Sequence, residues 1–283
     1  GYGDSPYQSF SAFAGNPYFI DLDLLVQDGL LTPDELPPAL PVEPIQYGAL
    51  YTQRPAVLRL AAGRLLASPT PAYRDFCRQQ KGWLEDYALF MAIKEEQGQT
   101  GLSQWPDPLR CRQPQAMADA RERLAGACCY HRAVQYLFYK QWQALKSYAN
   151  GKGIRLIGDI PIYVSPDSSD LWTRPELFQT DGRMHLTRVA GCPPDSFAAD
   201  GQLWGNPLYD WPRHAAEDFA WWKQRMRHAT SIYDVVRIDH FRGFESYFSI
   251  PAGSATAQGG QWVQGPGQAF LDAMHQAVGR DAV

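Results

Sequence analysis

The chain has 283 residues, of which 45% are hydrophobic and 13% aromatic, and a formal net charge of −4. That length suits one large domain or two ordinary ones, with apolar material for a sizeable core. The acidic balance argues against a nucleic-acid binder, which would show a basic patch or a high pI, and no apolar run approaches the roughly 18 residues of a membrane span.

Five cysteines (Cys77, Cys111, Cys128, Cys129, Cys192) are an odd number without metal-ligand spacing. With no signal peptide in view, they point to a reducing, cytoplasmic setting. The chain has no initiator Met, opens inside a loop at Gly1-Tyr2-Gly3-Asp4, and closes in what reads as the first residue of another strand at Val283. A piece of a longer enzyme is expected.

Residues 1–20 are rich in Gly, Ser, Pro, Tyr and Phe and lack periodicity. So many rings suit an ordered loop better than a flexible linker. Ser5, Tyr7 and Gln8 are its candidates for a polar pocket, although a loop that merely packs its aromatics on the domain explains the same residues. Residues 21–50 carry Pro33, Pro37, Pro38, Pro41 and Pro44 and read as short turns and an extended connection with Tyr47-Gly48 in its tail.

Helical spacing of Tyr73, Phe76, Trp83, Leu84, Tyr87, Leu89, Phe90 and Ile93 predicts helix over about 71–97, started at Thr70-Pro71 and interrupted at Gly82. A second helical stretch is expected over 115–149, broken near Gly126 and closed by Asn150-Gly151. Nothing in these two regions speaks of chemistry.

Ile154–Gly158 then reads as a short strand running into Asp159 at its C-terminal end. Asp181-Gly182 predicts a two-residue hairpin turn. Residues 189–211 form a further long loop of Gly, Pro, Asp and rings, with Asp195, Trp204 and Asn206 as polar or ring-bearing candidates. An amphipathic helix is expected over 215–229, a buried strand over 234–239, a Gly-rich loop over 254–267 and a helix over 267–277. The Gly-rich loop reads equally as a mobile lid or as an ordinary surface loop.

The strand at 234–239 organises the rest. Val235, Val236 and Ile238 are apolar, and the run ends in Asp239-His240-Phe241-Arg242-Gly243. Side chains alternate along a strand, so Arg237 and Asp239 face the same way, and a neighbouring guanidinium favours the ionised carboxylate. A carboxylate kept ionised at the C-terminal end of a barrel strand is placed to act as a nucleophile. A structural salt bridge is the alternative for the pair taken by itself, as a loop or cap role is for Asp159. The order strand, excursion, helix, strand, helix is that of an α/β fold with parallel strands. An eight-stranded barrel takes roughly 250 residues, and only two clear strand–helix units occupy this chain, so part of a barrel is expected.

Four stretches carry a family resemblance: GYGDSPYQSFSAFAGNPYFIDL, GIRLIGDIPIYVSPDSSDLW, PPDSFAADGQLWGNPLYDW and VVRIDHFRGFESYFSIPAG. In this order they resemble the 4-α-glucanotransferases, also called amylomaltases or disproportionating enzymes, of glycoside hydrolase family 77. The resemblance spans the chain but only part of a family member. It implies part of a (β/α)8 TIM barrel of the α-amylase superfamily with a large helical inserted subdomain. Residues 1–70 would be a loop-rich active-site segment, 71–150 the helical insertion, and 151–283 barrel strands three and four with their helices and loops.

By the same resemblance Asp239 would be the nucleophile forming a β-glycosyl-enzyme intermediate, and Arg237 would keep it ionised and oriented. His240 would contact the sugar in subsite −1, and Asp159 would be a sugar-binding carboxylate. Ser5 and Tyr7 would line the donor side, Asp195 and Trp204 would border the site, and Tyr47 would lie near an acceptor or secondary glucan site. The family's acid/base Glu and a further Asp would fall beyond Val283; Glu245 lies just after the nucleophile and is not at the expected position.

The implied activity is retaining double displacement on malto-oligosaccharides and maltodextrin, with glucose or another glucan as acceptor, in maltose and maltodextrin metabolism. No cofactor, metal, nucleic acid or membrane is implied. A superfamily hydrolase and a catalytically incomplete glucan-binding fragment are the rival readings, and the 283-residue piece alone is expected to be inactive.

Overall fold

The computed structural model describes residues 5–41 and 44–280. Two compact units divide the chain. One is built from the described parts of Gly1–Phe13, Glu96–Asp119 and Tyr148–Val283, the other from Ala14–Glu95 and Ala120–Ser147.

The helices α1 (Leu22–Gln27), α2 (Tyr47–Ala67), α3 (Pro71–Gln79) and α4 (Lys81–Glu96) come first. Asp21 caps α1 by accepting from the Leu24 N–H, and Thr70 caps α3 by accepting from the Tyr73 N–H. Each satisfies one of the orphan donors of a first helical turn. The expected turns over 21–50 are therefore partly replaced by α1 and by the start of α2. Proline masked the second of these: Pro55 lies inside α2, yet Val57, Leu58, Ala61, Ala62 and Leu65 keep a helical stripe and are buried. With Ile20, Leu25, Leu31, Tyr73, Ala133, Val134 and Leu137 they form the core of this unit.

The break expected at Gly82 falls instead at Gln80, whose N–H closes α3 on the Phe76 carbonyl while its own carbonyl starts α4. α5 (Asp107–Arg110), α6 (Pro114–Arg123) and α7 (Ala125–Gly151) follow, and the second interruption is at Leu124 rather than at Gly126.

After α7 the chain turns into β1 (Ile157–Pro161), three residues later than expected. The reason is local. Ile154 still bonds back to the Ala149 carbonyl, the Asn150 amide donates to the Ile154 carbonyl, and Leu156 N donates to the Asp234 carboxylate. Residues 153–156 are thus spent closing the helix, and Asp159 sits mid-strand instead of at the strand's end.

α8 (Ser169–Thr173) follows. The segment over 189–211, expected to be loop, contains β2 (Arg188–Cys192) and β3 (Gln202–Pro207). The pair Thr180 and Leu186 forms an isolated antiparallel bridge. The connection is wider than a two-residue turn, because Asp181 Oδ1 accepts from both Arg183 N and His185 N.

The helix expected at 215–229 is two: α9 (Trp211–Ala216) and α10 (Ala220–Ile232), separated where Asp218 and Phe219 adopt positive φ. β4 (Val235–Asp239) pairs in parallel with β1, with Asp159 opposite Arg237 and Pro161 opposite Asp239. β5 (Ser246–Pro251) and β6 (Gln261–Gln264) complete a four-stranded antiparallel sheet of order β3-β2-β5-β6, and α11 (Gln268–Val278) closes the described chain. The Gly-rich loop therefore contains a strand. The strand expected at Val283 lies outside the described residues.

Aromatic packing holds the short helix Phe241–Phe244 that follows β4. Phe244 stacks on Phe270 of α11 at 4.1 Å and 12° and meets Trp222 of α10 edge-on at 5.2 Å. Arg225 of α10, 3% exposed, donates to the Pro161 and Ile162 carbonyls at 2.5 and 3.0 Å, pinning the chain where it leaves β1.

Candidate active site

The site grows from the register of the parallel pair. Arg237 and Asp239 are two apart on β4 and share a face, and Arg237 Nη2 donates to Asp239 Oδ1 at 2.8 Å. Arg237 Nη1 reaches across to its register partner and donates to Asp159 Oδ2 at 2.5 Å. One guanidinium therefore holds two carboxylates, the geometry for which its fork of donors is suited. The two acidic charges raise the Arg237 pKa further, Asp159 more than Asp239.

The side chains of Asp159, Arg237 and Asp239 remain 38%, 57% and 39% exposed. Ion pairs so wet contribute little to folding. What they fix is orientation, with the carboxylates open to a ligand.

Tyr7 joins the cluster from the N-terminal loop, its hydroxyl donating to Asp159 Oδ2 at 3.2 Å. The bond to that carboxylate, and its charge, push the phenol pKa up. Ser5 acts one step back, its Oγ accepting from the Tyr7 N–H and its carbonyl from the Gln8 N–H. Gln8 in turn donates to Asn206 Oδ1, and the buried Asn206 amide donates to the Val164 carbonyl. This tethers the Tyr7 loop to β3 and to the chain beyond β1.

His240 follows the nucleophile candidate with φ 53 and ψ 45, an uncommon backbone for a residue with a Cβ. The turn it makes leads into the short helix Phe241–Phe244, and its ring stands edge-on to Trp204 at 4.8 Å and 88°. Burial lowers the His240 pKa, so the imidazole is favoured in its neutral form. Gly243 allows this closeness: a Cβ there would sit 2.7 Å from Ile162 Cδ1 and 3.4 Å from the His240 ring. Trp204 is steadied by its Nε1–H, which donates to Gln202 Oε1 at 2.9 Å.

Asp195 lies in the loop before β3. Its Oδ1 accepts from the N–H groups of Phe197 and Ala198 at 2.8 and 2.7 Å, so this oxygen is used to shape its own loop. The loop presents Phe197, 97% exposed, which the sequence argument passed over. Its signal was a lone ring inside Asp-Ser-Phe-Ala-Ala-Asp. Glu245 accepts from Ser246 Oγ and is exposed.

Tyr47 belongs to the other unit. It is the first residue of α2, 41% exposed, and lies 6.4 Å from the Tyr51 ring, which is itself 5.6 Å from Tyr18. Among the described residues no group of three or more His, Cys, Asp or Glu is arranged to hold a metal ion, and no helix is long and apolar enough to cross a membrane.

Two parallel strands that bring carboxylates together on one face are the arrangement of a (β/α) barrel wall. The 4-alpha-glucanotransferase family model of glycoside hydrolase 77 matches residues 2–283, and the chain belongs to that family. It is 47% identical over 283 residues to the 4-alpha-glucanotransferase of Streptococcus pneumoniae, covering 98% of this chain and 56% of the relative. It is 44% identical to that of Thermus thermophilus, covering 99% of this chain and again 56% of the relative.

A solved amylomaltase from Streptococcus agalactiae, in complex with acarbose, superposes with a TM-score of 0.95 at 43% identity, over 99% of this chain and 57% of that one. The amylomaltase from Corynebacterium glutamicum shares the fold, with a TM-score of 0.71 at 18% identity over 98% of this chain and 38% of that one. The chain spans little more than half the length of the curated relatives it matches.

Proposed function

We propose that this chain supplies the nucleophile half of a 4-α-glucanotransferase. Asp239 attacks the anomeric carbon of a malto-oligosaccharide, the reducing-end piece leaves, and a β-glycosyl ester forms on the carboxylate. The 4-hydroxyl of a second glucan or of glucose then takes the glycosyl group, restoring the α-linkage and freeing the carboxylate. Arg237 orients the nucleophile through Nη2 and Asp159 through Nη1. Asp159 and Tyr7 bind sugar hydroxyls, with Ser5 holding the loop that presents Tyr7. His240 serves the sugar at the reacting centre, and Trp204 is its aromatic border. Asp195 shapes the loop that carries Phe197, and Tyr47 belongs to a separate aromatic patch for a longer glucan.

The observation that carries this reading is the Asp159–Arg237–Asp239 bridge, held by register and open to solvent. Ion pairs this exposed contribute little to folding, whereas a glucan needs the carboxylates reachable. The acarbose complex of the Streptococcus agalactiae relative supports a site for glucose-like rings. Leaving-group departure requires a proton donor, and retaining chemistry places it roughly 5–5.5 Å from the nucleophile. We assign that role to none of the described residues.

Free cysteines at all five positions, together with the membrane result above, support a cytoplasmic enzyme of maltodextrin metabolism. The test is incubation of the protein, in the longest form its coding frame allows, with maltotriose. A ladder of longer oligomers with glucose supports transfer. Shorter products alone overturn it in favour of hydrolysis, and binding without turnover leaves a glucan-binding module.

A further inference from the structure

Away from the carboxylate cluster, a cavity of about 420 Å³ opens between α4 and the helices α6 and α7, lined by residues of the helical unit alone. Its volume falls within the range of small-ligand sites. Its lining is charged: Lys81, Arg121 and Arg132 supply three cations, Glu85 and Asp86 two carboxylates. Two consecutive cysteines, Cys128 and Cys129, also line it.

These two thiols differ. Cys128 is 8% exposed, and burial pushes its pKa up, as it does for Cys77 on α3. Cys129 is half-buried, and Arg132 Nη2 donates to its Sγ at 3.1 Å, while Arg132 Nη1 holds Glu85 at 2.5 Å. A guanidinium so placed faces the charge carried by an attacking thiolate, the reactive species in disulfide exchange.

We propose that Cys129 is a site of reversible S-thiolation by an anionic low-molecular-weight peptide disulfide, of which oxidised glutathione is the probe. The glutathionyl group carries two carboxylates and one ammonium, and the cavity offers three cations and two carboxylates in return. In the step, the Cys129 thiolate attacks one sulfur of the small disulfide. A new sulfur–sulfur bond forms to Cys129 and the original one breaks. The second half leaves as a thiolate that takes a proton from water. Cys129 is oxidised and the departing sulfur is reduced, so no further oxidant is needed.

The site differs from the three other half-buried thiols. Cys77 on α3 has its pKa pushed up by burial, Cys111 is engaged with the Arg183 carbonyl at 3.8 Å, and Cys192 ends β2; none of them lines the cavity.

The experiment exposes the full chain to oxidised glutathione, neutral 2-hydroxyethyl disulfide and cationic cystamine. Each rate is divided by that of the same disulfide with N-acetylcysteine, and the modified peptide is mapped by mass spectrometry. Cys129 is expected to react first, with oxidised glutathione favoured over the neutral and cationic disulfides by about tenfold. Cys129→Ser abolishes the fast adduct, and Cys128→Ser leaves it. Lys81→Gln or Arg121→Gln, on a protein whose circular dichroism is native, erases the preference for the anionic disulfide. First reaction at another cysteine, or equal normalised rates for the three disulfides on the native protein, overturns the proposal.

Discussion

Arg237 stands directly opposite Asp159 in the β1–β4 register, and the guanidinium closes on that carboxylate at 2.5 Å with its other arm on Asp239. Two strands are thereby joined at their side chains as well as their backbones, so changing this arginine disturbs both acids at once. Arg237→Lys keeps the charge but loses the fork. In the active enzyme we expect kcat/KM on maltotriose to fall by about a hundredfold or more, with little change in melting temperature because the pair is exposed. A melting shift larger than the activity loss would make the bridge structural.

Under the proposed mechanism, Asp239→Asn removes the negative charge of the attacking carboxylate. Turnover should drop by at least about a thousandfold, and mass spectrometry of the acid-quenched protein should show no glycosyl adduct. Persistence of the adduct would place the nucleophile elsewhere.

Trp204→Ala leaves the carboxylates in place and removes the ring that borders His240 at 4.8 Å. The expected effect is on binding: KM for maltotriose rises about tenfold, equivalent to about 1.4 kcal/mol, with a smaller change in kcat. An unchanged KM would remove Trp204 from the sugar site.

Stability should fall on acidification below neutrality. Burial lowers the pKa of both His214 and His228 to about 4, against an ordinary 6.5. The unfolded chain therefore binds protons that the folded chain refuses as pH drops from 6.5 toward 4, which favours unfolding. Asp170 acts in the opposite sense. Burial raises its pKa to about 6, so between its ordinary value and 6 it is the folded form that holds the proton. Two histidines against one aspartate leave a net loss. Urea unfolding at pH 7 and at pH 5 should show the decline, and His214→Gln should flatten it by removing one of the two depressed imidazoles. A profile that rises toward pH 5 would contradict these assignments.

Leu58, 2% exposed in the core of the helical unit, tests that packing. Leu58→Ala should cost about 2–5 kcal/mol in denaturant unfolding, and a loss under about 1 kcal/mol would mean the core collapses around the gap.

The contact between Arg237 and Asp239 was legible from sequence because it is local. Arg237 and Asp239 are two residues apart on one strand, and period-two alternation alone places them together. The bridge to Asp159, 78 residues away, needed the strand register, which no short window contains. The same limit hid β2, whose partner β5 lies far along the chain, and β3, which among the described residues pairs only with β2; with Gly191 on the first and Gly205 and Pro207 on the second, both read locally as loop. For α2 the signal was present at Val57, Leu58, Ala61, Ala62 and Leu65, and Pro55 with the preceding proline-rich stretch obscured it. Boundaries moved where side chains intervened: Asn150 and Asp234 hold residues 154–156 out of β1.

The parallel sheet has only two strands among the described residues, and Ile157 on β1 is 69% exposed. Its outer backbone donors and acceptors are a template that another extended segment can zip onto. Handled at high concentration, this polypeptide should self-associate through that margin, and the charge introduced by Ile157→Lys should keep it monodisperse.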